Sequence, residues 1–265
     1  LGRWHNRLSG FAMLEVIWQW YRPFVNEFRQ QFKLRPFTGA DFYRTLTSVP
    51  LLGAYSAAVI PHPSDWPENV HLTGYWFQET HSAWQPPVDL QAFLDQGEPP
   101  VYVGFGSMAG RNPRHFAEIV LEALVQSGQR GILATGWGGL RALDVPEKVF
   151  LLQEAPHGWL FPRMTAVIHH GGAGTTAEGV RAGKPTVIVP FIVDQLFWGK
   201  RIWGLGTGPE PIAAKRLTSA NLTEAIHQAA SEPVIRGRAE ALGSAIRAED
   251  GVHSAVAIIR QHLGA

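Results

Sequence analysis

Two histidines, three glycines, two threonines and a glutamate fall in the ten positions His169-His170-Gly171-Gly172-Ala173-Gly174-Thr175-Thr176-Ala177-Glu178. Glycines without a Cβ let backbone approach a ligand closely. The unpaired amides and dipole of a helix opening at Thr175 and Thr176 would form an anion site, with threonine hydroxyls as added donors. A phosphate or diphosphate suits this turn. His170, at its lip, could donate to a phosphate oxygen and stabilise charge on a leaving group. His169 reads equally well as a core histidine, since neighbours on a strand point to opposite faces. Glu178 lies within reach of a ribose diol, or is a solvated helix carboxylate. Further along, Asp194 and Gln195 offer a carboxylate and an amide that could read sugar hydroxyls without a metal. The plainer account of Asp194 is a cap on the helix that follows.

An α/β chain would position these residues. From Val101 the pattern runs strand, turn, helix: VYVGFGSM, a helix over 113–126, then strands over 131–135, 149–153, 166–168 and 186–189. Helices are expected over 175–182, 195–203, 219–229, 232–246 and 251–263. Strands alternating with helices predict a doubly wound parallel sheet. Ligands of such sheets sit beyond the carboxyl ends of the strands, so four turns qualify: 104–107, 136–139, 154–157 and 169–176. Before the sheet, apolar residues from Trp4 to Phe32 recur every three or four positions. They predict amphipathic helix, interrupted near Pro23, with its apolar face on a core or open to lipid or an apolar substrate. Short strands are expected within 48–61 and 70–75. The prolines of 78–100, around one short helical run over 90–94, suit a linker. We therefore expect a front part at 1–80, a linker at 81–100 and a sheet domain at 101–265, with its last helix free to pack back on the N-terminal part.

With 265 residues, 45% apolar, the chain can bury a substantial core. A net charge of +1 gives no footprint for nucleic acid, and the lack of cysteine excludes disulfides and thiolate metal sites. No D-x-D, H-E-x-x-H or helical His pair suggests a divalent metal. No apolar run has the length of a membrane span, and no signal peptide is apparent. The start at Leu1, with no strand before the first helix, is expected of a piece of something longer. Gly172 to Ala177 also fits G-x-G-x-x-G/A, with Asp194 twenty residues beyond Gly174, which raises an NAD-dependent oxidoreductase as an alternative. Against it, the turn follows three earlier strands, and Pro190 separates Asp194 from its strand.

From about Tyr55 onward the chain resembles the family 1 type GT-B UDP-glycosyltransferases, above all the sterol 3-beta-glucosyltransferases. AVIPHPSDWPENVHLTGYWF, VYVGFGSM, APHGWLFPRM, HHGGAGTTAEG and PFIVDQLFWGKR carry the resemblance. It implies two facing Rossmann-like domains, of which 101–265 is the nucleotide-sugar domain and 1–80 the tail of an incomplete acceptor domain. It further implies metal-independent, inverting transfer of glucose from UDP-glucose, a co-substrate with no other cofactor, to a sterol or similar hydrophobic alcohol. On that pattern His170 meets the α-phosphate, Gly172, Gly174 and Thr175 the diphosphate, Glu178 the ribose, and Asp194 with Gln195 the sugar. Ser107 would face phosphate or acceptor, Trp137 would lie near the nucleotide, and the Ala155 backbone would pair with the uracil edge. Glu154 stands where plant members have a tryptophan, so base stacking must be arranged differently. The general base is expected upstream of Leu1, in a missing N-terminal domain or in a partner subunit. In the latter case the chain is a non-catalytic nucleotide-sugar-binding subunit of a split enzyme. A cytoplasmic location is expected, with peripheral membrane contact.

Overall fold

The computed structural model describes residues 3–79, 84–106, 113–135 and 145–264. The chain forms two compact units, Leu1–Gly74 with Asp250–Ala265, and Tyr75–Glu249.

In the first unit a long helix α1 (Arg3–Gln31) is followed by α2 (Gly39–Ser48), two short parallel strands β1 (Leu51–Gly53) and β2 (Val70–Leu72), and, from the chain's end, the helix Gly251–Leu263. Trp18 is buried, stacked on Phe42 at 5.2 Å and edge-on to Phe37 at 5.7 Å. Asp41 takes both guanidinium nitrogens of Arg35, at 2.7 and 2.8 Å, and closes a capping box with Thr38 at the start of α2. These bonds, Arg35 first, hold the Asp41 carboxyl well below the usual range.

The expected interruption at Pro23 does not occur. Proline removes one backbone donor, but both flanking turns are pinned. On one side Glu15 accepts from the Tyr43 hydroxyl at 3.0 Å; on the other Asn26 exchanges bonds with the Phe37 backbone at 2.6 and 3.1 Å. The apolar face of α1 is largely exposed, with Trp4 at 78% and Trp20 at 72%, and with Phe24 and Phe28 also open.

The second unit is built on a parallel sheet of β3 (Val101–Gly104), β4 (Gly131–Ala134), β5 (Val149–Leu152), β6 (Val167–His169) and β7 (Thr186–Ile188), in the order β5-β4-β3-β6-β7. The central strands are buried on both faces, as a sheet covered by helices must be. On one face Val101, Val103 and Ile168 meet Ala117, Val120 and Leu124 of α4 (Pro113–Ser127). On the other, Tyr102, Ile132 and Val167 meet Leu90, Leu160, Phe161 and Met164. Leu90 lies on α3 (Val88–Asp95), a helix inside the stretch read as linker, and Leu160 ends α5 (His157–Leu160). The remaining helices are α6 (Ala173–Arg181), α7 (Val193–Leu205), α8 (Ser219–Ser231) and α9 (Pro233–Arg247).

Strand order reverses between β3 and β6, which pair in parallel with Tyr102 opposite Val167 and Gly104 opposite His169. Connections from β3 and β6 leave to opposite sides, so the sheet splits at their carboxyl ends, where open α/β sheets bind ligands. Ile168, fully buried at the middle of β6, anchors that edge. Ile168→Ala should lower unfolding stability by about 2–5 kcal/mol, as read by urea denaturation; a loss under about 1 kcal/mol would show that the sheet centre relaxes around the change.

Candidate functional site

A cleft of about 220 Å³ opens at this switch point, lined among others by Gly104, Gly106, Glu154, Ala155, His170 and Thr175. Three of the four turns expected to carry chemistry contribute to it. The fourth, 136–139, falls outside the described residues, as do Ser107 and Trp137.

The cleft floor is set by the end of β6. His169 is fully buried, and its Nδ1 accepts the Gly171 amide at 2.9 Å. Burial, and to a lesser degree the neighbouring His170 and His157, push its pKa well below the ordinary value, so the ring is neutral with its proton on Nε2. That Nε2 is buried without a hydrogen-bond partner among the described residues, a cost of about 1–3 kcal/mol. His169 is therefore the core histidine of the two, and it holds the turn.

Gly171 adopts φ +91°, and a Cβ there would lie 2.7 Å from Ile188 Cγ2 and 3.0 Å from the Gln195 carbonyl. Only glycine fits on both counts. A Cβ on Gly172 would lie 2.5 Å from His170 Nε2, so this glycine lets the imidazole lie against the turn. Helix α6 starts at Ala173, two residues earlier than the sequence suggested, with Gly172 as its cap and no side chain closing the end. The amides of Ala173, Gly174 and Thr175 therefore have no intrahelical partner, and of these residues Thr175 lines the cleft. Thr176 differs from expectation. It is fully buried, and its hydroxyl donates to the Gly172 carbonyl at 2.9 Å, so it braces the turn and is not a ligand donor.

His170 is half-buried at the cleft wall. Burial lowers its pKa, and the Asp194 carboxylate pulls it partly back. Its Nδ1 is sealed off without a partner among the described residues, which leaves Nε2 to meet a ligand. A bare lone pair inside is less costly than a buried unpaired N–H, which favours the tautomer that donates from Nε2.

Asp194 is exposed in the first turn of α7, close enough to act on His170. Gln195 is buried, with its Oε1 accepting the amides of Phe191 at 2.8 Å and Ile192 at 3.2 Å. Its carbonyl end thus closes the helix start, and only the NH2 end remains for a ligand. Glu178 lines a different hollow of about 410 Å³ beside α6, with Glu79, Arg181 and Lys184, and burial raises its pKa. Ala155, His170 and Thr175 are thus brought together in the cleft, with Gly172 and Gly174 at its turn, while Glu178 is not.

Sequence reasoning missed His157. It lines the cleft, stacks on Phe161 at 4.3 Å and meets the edge of Tyr102 at 5.9 Å. Burial, and secondarily His170, lower its pKa. Its position in a turn after a strand was the available signal.

Comparison with known proteins gives a consistent picture. The model of the erythromycin biosynthesis protein CIII-like C-terminal domain matches residues 120–256. A sterol 3-beta-glucosyltransferase of Arabidopsis thaliana is 42% identical over 260 residues, covering 97% of this chain and 42% of that protein. An O-mycaminosyltylonolide 6-deoxyallosyltransferase of Streptomyces fradiae is 38% identical over 261 residues, covering 97% and 60%. The chain therefore spans about two fifths of the plant relative and three fifths of the bacterial one. Among solved structures, the kitacinnamycin glycotransferase superposes with a TM-score of 0.73 at 19% identity, over 97% of this chain and 66% of that one. That likeness identifies the GT-B fold.

Two outcomes follow from this geometry. Gly172→Ala drives a methyl into the His170 ring and should displace it, seen as a shifted His170 resonance by NMR; an unmoved resonance would mean that the ring does not rest on the turn. Because His157, His169 and His170 titrate below the ordinary imidazole value when folded, the unfolded chain binds more protons as pH falls through about 6.5. Stability should fall with it, giving a lower urea midpoint at pH ~5.5 than at ~7.5. His157→Asn should flatten that slope, and an unchanged slope would count against a buried neutral His157.

Proposed function

This chain belongs to the family 1 GT-B glycosyltransferases with an erythromycin biosynthesis protein CIII-like C-terminal domain, and from that premise we propose that it supplies the donor half of a UDP-glucosyltransferase acting on a sterol or similar hydrophobic alcohol. The observation that carries this reading is the pairing of His170 with the uncapped start of α6 at the switch-point cleft. Open amides, a helix dipole and an imidazole N–H on one side of a cleft suit a diphosphate. The choice of a sterol acceptor and of glucose is supported by the name of the plant relative.

In the proposed reaction the acceptor hydroxyl attacks the anomeric carbon in line, the bond to the diphosphate oxygen breaks, and configuration inverts. Negative charge then grows on the departing UDP. The amides of Ala173, Gly174 and Thr175 and Nε2 of His170 would receive it, already oriented before reaction, which is where electrostatic catalysis gains most. Charge met this way needs no metal. Asp194 would take sugar hydroxyls, and Gln195 would contribute through its NH2 end alone, since its carbonyl is committed to the backbone of Phe191 and Ile192. Glu178 is left out of the donor site because it lines another hollow.

The base that deprotonates the acceptor is assigned to the part of the relatives that this chain does not span. The exposed aromatic face of α1 supports a role for further polypeptide, whether the remainder of one chain or a separate subunit.

Calorimetry with UDP tests the proposal. UDP should bind and NAD should not; NAD binding without UDP binding would overturn it in favour of a dinucleotide enzyme. His170→Ala should weaken UDP by about tenfold, the worth of one charge-assisted hydrogen bond, and an unchanged affinity would remove His170 from the leaving-group site. Adding a chelator should leave UDP affinity intact, whereas a marked loss would refute metal independence.

A further inference from the structure

A phenol on the floor of the switch-point cleft is left unused by the protein. Tyr102 lies within β3 with its ring buried, packed on Phe161 at 5.0 Å and against the edge of His157 at 5.9 Å. Side chains two apart on a strand share a face, and Gly104 is the next on that face. A Cβ on Gly104 would collide with the Tyr102 hydroxyl, so the glycine makes room for the phenol tip at the carboxyl end of β3, and both residues line the cleft. The hydroxyl makes no hydrogen bond among the described residues, and unlike Nε2 of His169 it is not sealed off. Burial raises its pKa to about 12, so it stays neutral with a proton to donate.

The order of the strands decides which part of a nucleotide passes this point. Across their carboxyl ends the order is β5, β4, β3, β6. His170 follows β6, Thr175 opens onto the cleft from α6, and Glu154 and Ala155 follow β5. Neighbouring strands lie about 4.8 Å apart, so the two edges of the cleft are three spacings apart, roughly 14 Å, with β3 one spacing from the His170 edge. A nucleoside diphosphate with its phosphates at His170 and its base at the β5 turn must lay its pentose, one methylene from the phosphate, over β3. Glu178 lines another hollow and is not there to take the pentose hydroxyls.

We propose, resting on the reading of this cleft as a donor site, that the Tyr102 hydroxyl binds the ribose of the nucleotide and makes the cleft select a ribonucleoside diphosphate over one whose pentose lacks hydroxyls. A ribose oxygen satisfies a donor that the fold leaves open. A pentose without that oxygen covers the same donor and leaves it with neither partner nor water, which is how a site built to bond a hydroxyl rejects the analogue lacking it.

The test is calorimetry of the chain and its Tyr102→Phe variant with UDP, with 2′,3′-dideoxy-UDP and with inorganic diphosphate. The chain should bind UDP about tenfold or more tightly than the dideoxy nucleotide, and the variant should lose about that factor for UDP alone and so bind both nucleotides alike. Diphosphate, which carries no pentose, should bind chain and variant equally. In urea without ligand the midpoint of the variant should not fall, since no bond within the protein is removed. A preference for UDP that persists in the variant, no preference in the chain, weaker diphosphate binding in the variant, or a lowered urea midpoint each overturns the proposal. In all four cases UDP binding by the chain leaves the donor reading standing. If neither nucleotide binds the chain, both fail together.

Discussion

The hydrogen bond from the Gly171 amide to Nδ1 of His169 fixes the geometry on which the site depends. It ties the first residue of the turn to a side chain locked in the sheet, and so sets the direction in which the chain leaves β6. From there Gly172 can pass beneath His170 and α6 can start beside the cleft, which Thr175 lines. The bond is made at the expense of an unsatisfied Nε2 inside the sheet. Such a residue survives when the position it enforces is worth more than the bond it forgoes.

The sheet order supplies the second constraint. Because β3 sits between β4 and β6, the chain must leave β3 and β6 on opposite faces, and a crevice at their carboxyl ends is unavoidable. The start of α6 and two imidazoles, His157 and His170, are set there, and hydrophobic layers on both faces hold the strands that lead to them. The binding groups therefore inherit the rigidity of the core, which is what a preorganised anion site requires.

Much of this was legible in the sequence because parallel sheets advertise themselves. Buried strands read as short apolar runs, glycine marks the turns between them, and the strands and longer helices of the sheet unit fell within a few residues of expectation, whereas α2 and the short α5 were not foreseen. What stayed hidden depended on where side chains point. Nothing in the order of residues says that Thr176 turns inward to Gly172, that Gln195 spends its carbonyl on the backbone, or that Glu178 faces away from the cleft that receives Thr175. His157 was hidden for a related reason: a histidine after a strand carries no mark of stacking on a phenylalanine four residues later. Pro23 misled because propensity is local, whereas the bonds that keep α1 continuous come from Phe37 and Tyr43.

The discontinuous make-up of the first unit bears on how the protein is made. Its two pieces, Leu1–Gly74 and Asp250–Ala265, are separated by the whole of Tyr75–Glu249. During synthesis the sheet unit can emerge and close on its own contacts while the first unit still lacks its last helix. Helix α1 is made before the whole of the sheet unit, and its aromatic face is open during that interval as it is in the finished unit. The order of the segments thus means that the first unit is completed only after the sheet unit has been made.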